Sequence, residues 1–124
     1  MFNKKGKDFT VEKISTMIGS DAVITGTFEA KDTTRIEGVI NGDIKSEETI
    51  IVGTTGKVTG NISAKNVMIA GEVKGNMYVV ERIEASASGK IYGDIQAKSL
   101  YIDENAVFQG QCTMNVPNTT QNQE

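Results

Sequence analysis

Apolar and polar residues alternate through most of this chain, and the alternation restarts at a nearly fixed interval. The pattern small-x-apolar-x-Gly-x-apolar occurs six times, centred on Gly26, Gly42, Gly60, Gly75, Gly93 and Gly110. These glycines are 16, 18, 15, 18 and 17 residues apart. The apolar positions flanking them are Ile24 and Phe28, Ile40 and Ile44, Val58 and Ile62, Val73 and Met77, Ile91 and Ile95, and Phe108 and Cys112. A register held over this many copies is the signature of a stacked repeat.

The repeat extends past its glycine segment. Two residues after the last apolar position stands Ala30, Ser46, Ala64, Val79, Ala97 or Met114. A new alternating pair then begins: Thr34/Ile36, Ile50/Val52, Val67/Ile69, Ile83/Ala85 and Leu100/Ile102, with Thr16/Ile18 in the same place at the start. Alternation at period two puts these side chains on one face of short strands. Three such segments per repeat predict a triangular coil with its apolar stripes turned inward. The spacer before each glycine segment is one residue (Glu37, Ala70) or three, as in Gly53-Thr54-Thr55. A change of two preserves which side chains face inward, whereas a change of one would reverse them. Residues 16–114 are therefore predicted to form an all-β, single-domain parallel β-helix of about six coils, ~30 Å long at ~4.8 Å per stacked strand. Residues 1–15 are expected to be a flexible N-terminal segment and 115–124 a disordered polar tail.

Composition supports a narrow core. Aromatic residues make up 6% of the 124 residues, Trp is absent, and proline occurs once, at Pro117. The net charge of -3 argues against a nucleic-acid partner. The charge is uneven: residues 1–7 hold Lys4, Lys5 and Lys7 and no acid, while the remainder is net -6. One cysteine makes no internal disulfide. No apolar run spans a bilayer and no secretory leader is visible, so a cytoplasmic location is expected.

Candidate chemistry is sparse. β-Helical acyltransferases and zinc enzymes call for histidine, and the chain has none. Glu37, Asp43, Glu72 and Asp94 fall at outward positions and read as a solvated surface. No P-loop appears, so neither a nucleotide nor any other cofactor or metal is expected. The alternative to self-assembly is a monomeric or small-oligomer β-helical binding module.

The Gly-x-Ile-x-Gly-x-Ile series, the roughly 17-residue coils, the polar flanks and the Met-Phe-x-Lys-Lys start resemble the bactofilins, bacterial cytoskeletal proteins. The resemblance implies a right-handed β-helix that polymerises end to end without nucleotide into non-polar filaments, N-terminal end to N-terminal end and C-terminal end to C-terminal end. It implies a peripheral location on the inner face of the cytoplasmic membrane and a scaffold role toward cell-wall or morphogenesis proteins. Met1, Phe2, Lys4 and Lys5 match the family's membrane-targeting start, and Lys7 adds to their charge toward an anionic membrane surface. Phe108 matches the phenylalanine used at the C-terminal contact. Val107 and Cys112 beside it, and Phe28 in the first coil, complete the expected polymerisation interface. Cys112 also reads as a core residue. The tails are short and lack the Pro-rich segment seen in the family.

Overall fold

The computed structural model describes residues 14–114, all strand, turn and bend. The strands wind as six successive coils. The first holds β1 (Ile14–Ile18), β2 (Val23–Thr25) and β3 (Phe28–Ala30), and the second β4 (Thr33–Ile36), β5 (Val39–Asn41) and β6 (Ile44–Ser46). Then follow β7 (Thr49–Val52), β8 (Lys57–Thr59), β9 (Ile62–Ile69), β10 (Glu72–Lys74), β11 (Met77–Ala85), β12 (Lys90–Tyr92) and β13 (Ile95–Ala97). The last coil is β14 (Ser99–Ile102), β15 (Val107–Gln109) and β16 (Cys112–Met114). β9 and β11 each run through a corner, so two of the three faces merge into a ten-stranded sheet beside a six-stranded one. Every pairing is parallel and joins one coil to the next. This is the parallel β-helix that the repeat predicts.

The expected apolar columns form in register. Ile24, Ile40, Val58, Val73, Ile91 and Phe108 stack on one face. Phe28, Ile44, Ile62, Met77, Ile95 and Cys112 stack on another. In the inner coils these residues are 1% exposed or less. The core is narrow and continuous along the axis.

The corners explain the variable period. Where the spacer has three residues, the chain closes a tight turn: Ala22, Gly56, Gly89 and Ala106 N–H donate to the carbonyls of Gly19, Gly53, Ser86 and Asp103 at 2.9–3.0 Å. Where it has one, at Glu37 and Ala70, the chain rounds the corner directly and the residue's N–H donates to the coil before, to Ile18 and Val52 carbonyls at 2.7 and 2.8 Å. The repeated central glycines all have positive φ, +147° at Gly60. A Cβ there would also drive into the carbonyl of Gly42, one coil earlier. Positive φ and close stacking coincide, so glycine answers two demands at once.

Candidate functional site at the two ends of the helix

Each coil is covered by its neighbours, and the outermost coils have only one neighbour among the described residues. β1, β2 and β3 pair only with the second coil, and β14, β15 and β16 only with the fifth. Each set presents one edge of backbone N–H and C=O groups with no described partner strand, a template for further pairing. The apolar columns are unfinished at the same places. Ala22, Ile24 and Phe28 are only partly buried at the N-terminal end, as are Leu100, Ile102, Ala106, Phe108 and Cys112 at the C-terminal end. Met114 is 45% exposed. Their column-mates Ile91 and Ile95 are sealed.

Magnitudes show what such an end can do. Completing the burial of Leu100, Ile102, Phe108, Cys112 and Met114 contributes about 1 kcal/mol each, half of what full burial of such side chains is worth. That sum lies near the low end of the roughly 4–15 kcal/mol that association costs. Apolar contact alone is marginal, and pairing of the strand edges must add to it.

The expected interface residues separate on inspection. Phe108 and Cys112 lie in the end surface at the C-terminal coil, and Phe28 in the end surface at the other, about the length of the helix away. Val107 alternates with Phe108 and stands in the outward column of Lys90, so its side chain belongs to the flank and only its backbone to the edge. Burial pushes the Cys112 thiol up from its ordinary pKa, and its Sγ lies 3.7 Å from Met114 Sδ. That is a packed thiol, not a poised nucleophile. Met1, Phe2, Lys4, Lys5 and Lys7 lie outside the described residues.

Two polar arrangements were not visible in the sequence. The residues after the last five central glycines form a ladder along one corner. Asn61, Asn76, Asp94 and Gln111 N–H groups donate to the side-chain oxygens of Asp43, Asn61, Asn76 and Asp94 respectively, all at 3.0–3.1 Å. Asp43 and Asp94 are thus solvated acids that also tie coil to coil. At another corner Arg35 Nε pairs with Glu37 Oε2 at 2.6 Å, and the Thr55 hydroxyl donates to Glu37 at 2.7 and 3.1 Å, backbone and side chain. The hydrogen bond from Arg35, then those from Thr55, hold the Glu37 carboxyl below the usual carboxylate range. This interaction is present above the ordinary carboxylate pKa and is lost as pH falls through the lowered one. Among the described residues no group of three or more His, Cys, Asp and Glu could hold a metal ion. No helix there is long and apolar enough to cross a membrane.

Comparison with known proteins agrees with this architecture. Residues 16–113 match the family model for bactofilin, described as polymer-forming cytoskeletal. The chain is 33% identical to the bactofilin of Thermus thermophilus in a cryo-EM reconstruction of its double helical filaments, with a TM-score of 0.79, over 82% of this chain and 100% of that one. A crystal structure of a phenylalanine-to-arginine variant of Thermus thermophilus bactofilin is 32% identical, with a TM-score of 0.68, over 71% of this chain and 98% of that one. No curated protein matches significantly. With its six-coil helix, its match along nearly all the described residues and its likeness to a filament-forming relative, this chain belongs to the bactofilin family of polymer-forming cytoskeletal proteins.

Proposed function

We propose that this chain is a non-enzymatic scaffold that polymerises end to end, without nucleotide, into non-polar filaments on the inner face of the cytoplasmic membrane. There the filaments support cell shape or position wall-modifying proteins. The observation that carries the reading is the pair of unfinished ends: open strand edges and open apolar columns at the same two places. Burial and edge pairing supply the driving force, so no hydrolysis step is required. In the non-polar arrangement that the family resemblance implies, each C-terminal junction brings two copies of Phe108 together. The relative's filaments are double helical, and this reading extends to two strands here.

The test is negative-stain electron microscopy of the purified chain without nucleotide, beside light scattering. Filaments a few nanometres wide are expected. A stable monomer would overturn the reading and favour a β-helical binding module.

Membrane attachment rests on the N-terminal segment. Phe2 is suited to the interface, and Lys4, Lys5 and Lys7 contribute about 1 kcal/mol each near an anionic surface. One copy binds weakly, and a filament binds through many. Deleting residues 2–7 is expected to release the protein from anionic liposomes in co-sedimentation while filaments persist. Unchanged co-sedimentation would remove this segment from the account.

A further inference from the structure

The long side of the helix carries a column of outward side chains that complements itself. On the face formed by β1, β4, β7, β9, β11 and β14, strand register aligns Met17, Arg35, Ile51, Met68, Glu84 and Tyr101, one from each coil. Met17, Met68 and Tyr101 are exposed large apolar residues. Arg35, Ile51, Met68, Glu84 and Tyr101 line one shallow trough, shared with the small residues Gly53 and Ala70. Glu37 and Arg82 stand beside this column, paired with Arg35 and Glu84.

Consider two copies laid face to face with their helix axes antiparallel. A two-fold axis in the contact plane then passes between the third and fourth coils. It sets Ile51 of each copy on Met68 of the other, Arg35 on Glu84, and Met17 on Tyr101. All three kinds of pair match: apolar on apolar at the centre, opposite charges next, apolar on aromatic at the rim. Arg35 already bonds Glu37 at 2.6 Å and Arg82 bonds Glu84 at 2.9 Å. Across the contact these become an alternating row of four charges. A parallel arrangement would instead set Arg35 on Arg35 and Glu84 on Glu84.

Two other outward columns do not behave this way. On the β2–β5–β8–β10–β12–β15 face, the column Val23, Val39, Lys57, Glu72, Lys90 and Val107 would bury its charges at the centre and set Val39 on Lys90. Charges desolvated at the middle of a contact are a poor core. On the third face Glu29, Lys45, Ser63, Tyr78, Gln96 and Thr113 would set Lys45 on Gln96.

We propose that the Met17–Tyr101 column is the lateral contact by which a second, antiparallel copy of this chain joins two filament strands. The proposal rests on the end-to-end reading above. One column is a narrow contact, smaller than a stable protein–protein interface. Isolated subunits therefore pair weakly, and strands pair firmly because many columns act together.

The test is electron microscopy with mass-per-length measurement on filaments of the wild type, Arg35→Glu, Glu84→Arg, the double variant carrying both changes, and Lys57→Glu. Two-stranded filaments are expected for the wild type, Lys57→Glu and the double variant. Each single variant at 35 or 84 is expected to halve the mass per length. Rescue by the double variant is the decisive outcome. It leaves like charges side by side at positions 35 and 37 and at 82 and 84, so repair of the local ion pairs does not explain it. Single variants that stay two-stranded, a double variant that stays single, or loss of pairing in Lys57→Glu each overturn the assignment. Single-stranded wild-type filaments overturn it while leaving end-to-end assembly intact. Absence of any wild-type filament overturns the end-to-end reading and this one with it.

Discussion

Replacing Phe108 by Arg is expected to abolish filaments and leave the helix folded. Phe108 sits at the foot of the column that runs from Ile24 through Ile91, partly uncovered at the C-terminal end. In the free subunit an arginine there bends its guanidinium into water, so folding is little affected. In a junction the charge must be desolvated. When two C-terminal ends meet, two such charges meet as well. A penalty of several kcal/mol is expected for an unpaired buried charge. At about 1.4 kcal/mol per tenfold, even 3 kcal/mol weakens the junction over a hundredfold. The relative with a phenylalanine-to-arginine change crystallises with the same fold. Sedimentation and circular dichroism would check both halves: soluble protein with an unchanged β spectrum is expected. Filaments surviving in Phe108→Arg would remove this ring from the junction.

The second large effect is expected on stability, at Gly60. Alanine there must hold φ near +147° and force its Cβ into the Gly42 carbonyl. Strain of this kind costs of order 1–3 kcal/mol by itself. The clash adds to it, because backbone pairing above and below keeps the coils from separating. A total of about 3 kcal/mol or more corresponds to a fall in melting temperature of roughly 15 °C for a domain of this size. Two controls separate the causes. Gly26 has φ +121° but, among the described residues, nothing within 4 Å of its Cβ position, so Gly26→Ala should show the conformational penalty alone. Gly19 has neither constraint among the described residues, and Gly19→Ala should be near neutral. Thermal unfolding in a Phe108→Arg background would rank them. Equal losses at Gly26 and Gly60 would refute the stacking argument.

The repeat was legible because its errors are self-correcting. A corner of one residue at Glu37 and of three at Gly53 both return the chain to the same face, so Ile40 and Val58 stack despite different spacing. The same alternation turns the Val107 side chain outward, into the column of Lys90. The Asp43–Gln111 ladder was not legible. Each rung joins a side chain to a backbone N–H a whole coil away, and a polar residue after glycine looks the same in any turn. The Arg35–Glu37–Thr55 corner was hidden for a related reason. Arg35 and Glu37 are close in sequence, but Thr55 arrives only after one full circuit. The end surface was legible as a position and not as an area, since what uncovers Phe108 is the end of the stack.

The strands of this protein lie across the long axis, and the hydrogen bonds between coils lie along it. In an end-to-end filament, tension would therefore load all the bonds of one coil boundary together, with successive boundaries in series. Inside a subunit the covalent chain also crosses every boundary. At a junction between subunits no covalent link crosses. The weakest place in such a cable is the joint, and overload should part it into whole, reusable subunits before any of them unravels.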